Sequence, residues 1–134
     1  MSATRRGPYI PPVVRPPRLL HTKYGTIYDP GYEARRPDDP WIGIRQQNIF
    51  KWDKKNIEEM LNGRPPWGHD GKKVILHHRA QQPNGPLDEY SATLHQQQSG
   101  LLHGEDYTRI DRQLFDAQRA RYWVWRALEH LAAN

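Results

Sequence analysis

Four of the seven histidines fall close together in the chain, and histidine is the side chain whose ordinary pKa best suits proton transfer near neutral pH. His77 and His78 are adjacent, and His95 and His103 follow shortly afterwards. A neutral imidazole can take a proton from an attacking water molecule, or it can bind a divalent cation. One histidine as base and two or three as metal ligands would suffice for phosphodiester hydrolysis. The alternative is a group of surface histidines that are close only in sequence.

Short strands and a helix are predicted around these histidines. Residues 73–76 read as a β-strand that runs directly into the histidine pair, and residues 87–90 read as a second strand. Ser91 can cap a helix over residues 92–98, because its side-chain oxygen can accept a hydrogen bond from a free backbone N–H. Adjacent residues on a strand point to opposite faces. The two adjacent histidines could therefore do different work, one as a metal ligand and the other as a base.

Two further helices are predicted on either side of this region. Residues 54–61 carry apolar side chains at helical spacing, and Asn62-Gly63 supplies a stop signal. From about residue 108 to residue 131 the chain has no Gly or Pro, which predicts a long helix. Its apolar face is expected to comprise Ile110, Leu114, Ala117, Val124, Leu128 and Leu131, with Arg121 as the only break. Nearby aromatic residues widen this face and are expected in the core: Tyr107, Phe115, Tyr122, Trp123 and Trp125.

Composition excludes several classes of protein. The chain has 134 residues, enough for one domain, and it has no cysteine, which excludes disulfides, thiolate zinc sites and a cysteine nucleophile. Any metal site must therefore use His, Asp or Glu. No apolar run approaches the length of a membrane span, and the N-terminus has no secretory signal. The formal net charge of +5 suits an anionic partner, of which nucleic acid is the commonest.

The first 40 residues differ in composition from the rest, since they hold 8 of the 12 prolines together with several arginines. Proline lacks the amide hydrogen and disfavours helix in the residue before it, so this stretch is expected to be extended, turn-rich or disordered. It is either a linker or a basic arm that wraps the domain or contacts phosphates. We therefore divide the chain into a Pro-rich basic segment, residues 1–45, and a domain, residues 46–134.

An ordered set of motifs then resembles a known family. The motifs are GKKVILHHRAQ at 71–81, NGPLDE at 84–89, SATLH at 91–95 and LH at 102–103. Together they resemble the LHH family, a toxin-nuclease branch of the HNH/endonuclease VII superfamily. The flanks agree, with Asn62-Gly63 and Pro65-Pro66 upstream and Tyr122-Trp123 downstream. The resemblance covers about residues 52 to 128.

The resemblance implies an α+β fold, a small ββα-metal (His-Me finger) core with a long C-terminal helix and an additional helix, preceded by the Pro-rich extended segment. It implies one divalent metal ion, magnesium or manganese for turnover, although zinc or nickel could also occupy the site. By residue match His77, His95 and His103 would be the metal ligands, and His78 would be the general base. Gln81 would orient that base, with Asn84 as the alternative.

Basic and acidic residues near the motif are expected to bind phosphate or to orient a ligand imidazole. Contacts with phosphates are expected from Lys73, Arg79, Arg109 and Arg112. Glu89 could hold a ligand imidazole in the required tautomer, although a solvated carboxylate is the commoner case.

The resemblance implies a metal-dependent endonuclease toxin domain that hydrolyses DNA. It would form the C-terminal part of a secreted bacterial polymorphic toxin, with a larger delivery scaffold. A bacterial secretion system would deliver it into the target-cell cytoplasm, and a cognate immunity protein with an acidic surface would neutralise it. No membrane partner is expected. The alternatives are an RNase with the same site, a zinc-stabilised interaction module, or a non-catalytic nucleic-acid-binding module that stacks bases on Trp41, Trp52 and Trp67.

Overall fold

The computed structural model of the chain describes residues 9–46, 48–98 and 111–133, and the side chain of Gln81 is not among those it describes. Within these ranges the chain forms two small antiparallel sheets and a set of helices, which confirms the α+β fold. In chain order the elements are β1 (Arg18–Thr22), β2 (Gly25–Asp29), α1 (Lys54–Leu61), β3 (Ile75–His78), β4 (Leu87–Tyr90), α2 (Ala92–Gln97) and α3 (Arg112–Ala133).

Helix α1 has the predicted bounds because its two ends carry clear signals. The Asp53 side chain accepts a hydrogen bond from the backbone N–H of Asn56, which caps the first turn. The helix ends at Asn62, and Gly63 follows with a positive φ of 79°, a conformation that favours glycine. The face with Ile57 and Met60 is fully buried in the core and packs against α3.

Helix α3 buries a different face from the one predicted. Phe115, Tyr122 and Trp123 lie in the core as expected, but Leu114 is 53% exposed, so its assignment to the buried face was wrong. Arg121, predicted as a break in that face, is itself buried. The reason is that Arg121 forms two hydrogen bonds with the buried carboxylate of Asp39, at 2.8 and 2.6 Å. A charge that is paired in this way can occupy the buried face, and Leu114, two turns earlier on the same face, lies near the exposed start of the helix.

The sheet that carries the histidine pair is the hairpin of β3 and β4. Its register places His77 opposite Asp88 and His78 opposite Leu87. The chain at residues 41–44 runs parallel to β4 and bonds to it, since the N–H of Leu87 donates to the Trp41 carbonyl and the N–H of Glu89 donates to the Ile44 carbonyl. The hairpin is therefore held on both sides of β4.

The hairpin of β1 and β2 was not predicted from the sequence. It contributes Ile27, which is fully buried, to the same core as α1. The buried Asp29 carboxylate accepts hydrogen bonds from Arg15, Arg18 and the N–H of Gly31, and so fixes the preceding arm to the hairpin. Within the N-terminal segment the structure describes residues 9–46. The predicted domain boundary at residue 45 stays a prediction.

No helix in the described parts of the chain is long and apolar enough to cross a membrane.

The ion pair between Asp39 and Arg121 yields a prediction about stability. Both side chains are 5% exposed, so removing one partner leaves a buried charge unpaired. We expect Arg121→Ala to lower the free energy of unfolding by about 3–5 kcal/mol, measured by urea denaturation at pH 7. The control is Arg64→Ala, because Arg64 pairs with Glu59 on the exposed surface, and its loss should cost about 1 kcal/mol or less. Equal small losses in the two variants would contradict the assignment.

The same pair predicts a pH dependence. Burial raises the pKa of Asp39, but hydrogen bonds from Arg121 and from the N–H of Arg36 outweigh it and hold that pKa below its usual value. A lowered folded-state pKa stabilises the protein above the unfolded pKa of about 4, and this contribution is lost as the pH falls through the folded value. The difference in stability between wild type and Asp39→Asn should therefore shrink below about pH 4 in urea titrations. A difference that stays constant from pH 7 to pH 3 would count against it.

Candidate active site

His77 and His95 converge on one face of the β3–β4 hairpin. His77 is buried, and its ring centroid lies 5.3 Å from that of His95 on α2 and 6.1 Å from that of Tyr90. Strand alternation puts His77 on this face together with its cross-strand neighbour Asp88. Helix α2 covers this side of the sheet and brings a second imidazole to the first.

His78 lies on the other face and packs toward α3. Its ring centroid is 4.4 Å from that of Phe115, and the residue is 2% exposed. Burial lowers the pKa of His78, and a hydrogen bond with the side chain of Gln118, longer or more bent than normal, opposes this effect only in part. Among the described residues, neither ring nitrogen makes a hydrogen bond of normal geometry. Buried polar atoms are nearly always bonded, so an imidazole in this state requires an explanation such as a catalytic role.

The hairpin separates His78, the predicted base, from His77 and His95, the two predicted ligands that are described. His78 is the last residue of β3, so its ring lies at the end of the strand. There the chain turns sharply through Arg79–Gln81, with Ala80 at a positive φ of 56°. The predicted division of labour between two adjacent histidines therefore has a geometric basis in strand alternation.

Three predicted site residues cannot be placed. His103 and Arg109 lie outside the described residues, and so does the Gln81 side chain. Asn84, the alternative orienting residue, is exposed in the turn between β3 and β4. The choice between Gln81 and Asn84, and the third metal ligand, stay predictions.

The residues predicted to contact phosphates differ in their exposure and in their hydrogen-bond partners. Lys73 donates to Glu59 at 2.6 Å and to the carbonyl of Pro65, which ties the chain just before β3 to α1. Arg79 forms two hydrogen bonds with the buried Asp88, yet its side chain is 52% exposed beside the histidine pair. Arg112 is exposed at the start of α3. Their contacts with nucleic acid stay predictions.

Glu89 is not a solvated carboxylate, although solvated carboxylates are the commoner case. It is fully buried on the His78 face of the hairpin, and one of its oxygens accepts hydrogen bonds from Tyr122 at 2.6 Å and from Arg126 at 2.8 Å. Burial, and then the neighbouring carboxylate, raise the pKa of Tyr122, which stays protonated and donates. The physical reason is that α3 presents a hydroxyl and a guanidinium that compensate the buried charge.

Sequence reasoning missed two carboxylates that position the site. Asp88 accepts the N–H of Ile44 and two hydrogen bonds from Arg79, so it joins the N-terminal segment to the strand opposite His77. Asp70 accepts the N–H and the hydroxyl of Thr93, which fixes the loop before β3 to the first turn of α2. Asp70-Gly71 was visible in the sequence only as a turn signal, and no spacing rule links it to Thr93.

The described residues include two imidazoles, those of His77 and His95, whose spacing fits one divalent cation. Two imidazoles bound to a tetrahedral ion at about 2.1 Å have ring centroids about 5 Å apart, close to the separation of His77 and His95. Within the described ranges, no group of three or more His, Cys, Asp or Glu side chains could hold a metal. The pair has the spacing of two ligands, and the third predicted one, His103, belongs to the part that is not described.

Comparison with known proteins decides the family. The model of the LHH family, a nuclease of the HNH/ENDO VII superfamily with a conserved LHH motif, matches residues 55–129, more than half of the chain. The chain belongs to the LHH family. Leu76, His77 and His78 are its LHH motif, placed at the end of β3. No solved structure matches the chain. LHH membership confirms the resemblance seen in the sequence and makes the chain a member of a nuclease family.

The contact between Asp70 and Thr93 predicts an indirect effect on metal binding. Asp70→Ala removes the acceptor that holds the first turn of α2, and His95 should then be less well oriented toward His77. We expect about tenfold weaker zinc or nickel binding by calorimetry, with little change in the thermal unfolding midpoint. Glu33→Ala is the control, since Glu33 pairs with Arg36 away from α2 and its loss should leave metal affinity unchanged. Equal affinities in Asp70→Ala and wild type would refute this positioning role.

Proposed function

We propose that this LHH-family chain is a metal-dependent endonuclease that hydrolyses DNA phosphodiester bonds, with His78 as the general base. One observation carries the proposal. The two histidines of the LHH motif point to opposite faces, His77 toward His95 and His78 into a buried position without hydrogen bonds of normal geometry among the described residues. A buried histidine with a purely structural role at the position of His78 would be expected to have its ring nitrogens satisfied.

His77 and His95 would hold the cation, with His103 as a further ligand. When bound, a divalent cation stabilises the charge that develops on the scissile phosphate and on the leaving oxygen. Tyr90 packs edge-on against His77 and limits the rotation of its ring. Asp70 holds α2 and thereby the direction of His95. The chain thus supplies two oriented imidazoles before any ion binds.

His78 would take the proton from the attacking water through a ring nitrogen. Phe115 and Gln118 fix the position of its ring, and burial favours the neutral form, which is the form that can accept a proton. Gln81, or Asn84 in its place, would orient the ring. Arg79 and Arg112 would contact the phosphates on either side, and such contacts carry little sequence information, which agrees with cleavage of low sequence preference.

The biological setting is also part of the proposal. The chain would be the toxin portion of a larger secreted bacterial protein that is delivered into the cytoplasm of a target cell. A net charge of +5 favours an immunity protein whose acidic surface competes with DNA. Of the three tryptophans in the non-catalytic stacking module, Trp52 stacks on His130 at 3.7 Å and Trp67 is contacted by Lys55 and Lys73. Trp41 is the one of the three that is mostly exposed, and it lies near the predicted base, which favours a part in the nuclease over a separate stacking module.

The test is cleavage of supercoiled plasmid by the purified protein with magnesium or manganese. We expect nicking that EDTA abolishes and that His78→Gln lowers by about 100-fold or more, because a positioned general base contributes about that factor. His95→Ala should also lose cleavage and should bind zinc more weakly, whereas His78→Gln should keep its zinc affinity. Circular dichroism checks that each variant folds.

His21→Ala is the matched control, because His21 is an exposed histidine on β1 and its loss should leave cleavage unchanged. Cleavage of RNA with no cleavage of DNA would replace the substrate and keep the mechanism. Cleavage by His78→Gln at the wild-type rate would refute the base. No cleavage of either nucleic acid, at any metal, would refute the proposed function.

A further inference from the structure

A surface cavity of about 320 Å³ lies beside the predicted general base. Its walls include Trp41, Pro83, Asn84 and Gln118. The Gln118 side chain contacts the His78 ring and also lines this cavity. A single side chain therefore separates the cavity from the predicted general base. Its volume is at the small end of ligand sites, which suits one planar ring system better than a base pair.

The most unusual wall is Trp41, which is 79% exposed. The exposed indole offers a large flat surface on which a ring can stack. Its backbone is nevertheless fixed, because the Trp41 carbonyl accepts the N–H of Leu87 at 2.9 Å, and Leu87 lies opposite His78 in the hairpin. An exposed indole is thus held at the same end of the sheet as the predicted base.

The rest of the cavity offers polar groups suited to the edge of a ring. Asn84 and Gln118 each carry an amide with a donor and an acceptor, and Asp38 supplies an exposed carboxylate. Carboxylates and amides are the groups that read nucleobase edges. The other acid in the wall, Asp39, is bonded to Arg121. An acidic wall disfavours phosphate inside the cavity but accepts the N–H groups of a base.

We propose that this cavity binds one unpaired nucleobase, which stacks on Trp41 while the phosphate next to it lies at His78. The proposal rests on the proposed nuclease function and specifies its substrate. A base can stack on Trp41 only if it is out of its pair, so the favoured substrates are single strands and duplexes with unpaired positions. Stacking is tolerant of sequence because every base has a π-face.

The test measures binding of fluorescent oligonucleotides in EDTA, where cleavage is excluded. We compare a single strand, a duplex with one bulged base and a perfect duplex, each in deoxyribose and ribose form. Trp41→Ala removes the ring and Trp41→Phe keeps a stacking face. Trp67→Ala is the control for loss of an exposed indole elsewhere, since Trp67 is 39% exposed and lies outside the cavity.

We expect Trp41→Ala to weaken binding of the single strand and the bulged duplex by about 5- to 160-fold, the range that one stacked base contributes. The perfect duplex should change by less than twofold. Trp41→Phe should recover most of the affinity, and Trp67→Ala should resemble wild type. Deoxyribose and ribose strands should both follow this pattern if the base is what is recognised.

Equal effects of Trp41→Ala on single strand and perfect duplex, or no larger effect than that of Trp67→Ala, would overturn the proposal. Plasmid nicking by the wild-type protein is measured in parallel. Nicking without the Trp41 effect refutes the nucleobase site and leaves the nuclease intact. Weaker binding of unpaired strands by Trp41→Ala, in a protein that does not nick plasmid, would support the nucleobase site and refute the proposed nuclease function.

Discussion

The alternation of side chains along β3 is the constraint on which the candidate site depends. His77 and His78 are neighbours in the chain, and the pairing of β3 with β4 sends them to opposite faces. One face is then covered by α2 with a second histidine, and the other by α3 with an aromatic residue and an amide. Two imidazoles that would otherwise have the same surroundings acquire different ones. The backbone thus gives the predicted ligand and the predicted base different surroundings before any metal is considered.

Buried carboxylates hold this hairpin in place from several sides. Asp88 joins it to the N-terminal segment, Glu89 joins it to α3, and Asp39 joins that segment to α3. Each of these acids is buried and each meets an arginine. These pairs cancel in the net charge, so the excess of +5 comes from the remaining residues, and arginines such as Arg121 serve the fold rather than a polyanion. Gly43 shows how closely the parts approach, since a Cβ at this position would collide with the carboxylate of Asp88.

The elements that local signals specify could be predicted from the sequence. Helix α1 with its Asn62-Gly63 stop, strand β4 and the Ser91 cap of α2 all depend on residues within a few positions of each other. The family was visible because its motifs lie in order along the chain. The burial of Arg121 was missed because its partner is 82 positions away at Asp39. The burial of Glu89 was missed for the same reason, since Tyr122 and Arg126 lie far from it in the chain. The β1–β2 hairpin has local pairing, but the many prolines around it led us to expect extended or turn-rich chain.

The central claim, that one face of the motif binds metal and the other supplies the base, is tested most directly by NMR of the histidine ring nitrogens. The ¹⁵N resonances are assigned with single histidine variants and followed during titration with zinc. The account predicts that the resonances of His77 and His95 shift together as the ion binds, while His78 keeps the pattern of a neutral ring and His21 does not respond. Coordination of zinc by His78, or binding without a response from His77 and His95, would contradict it.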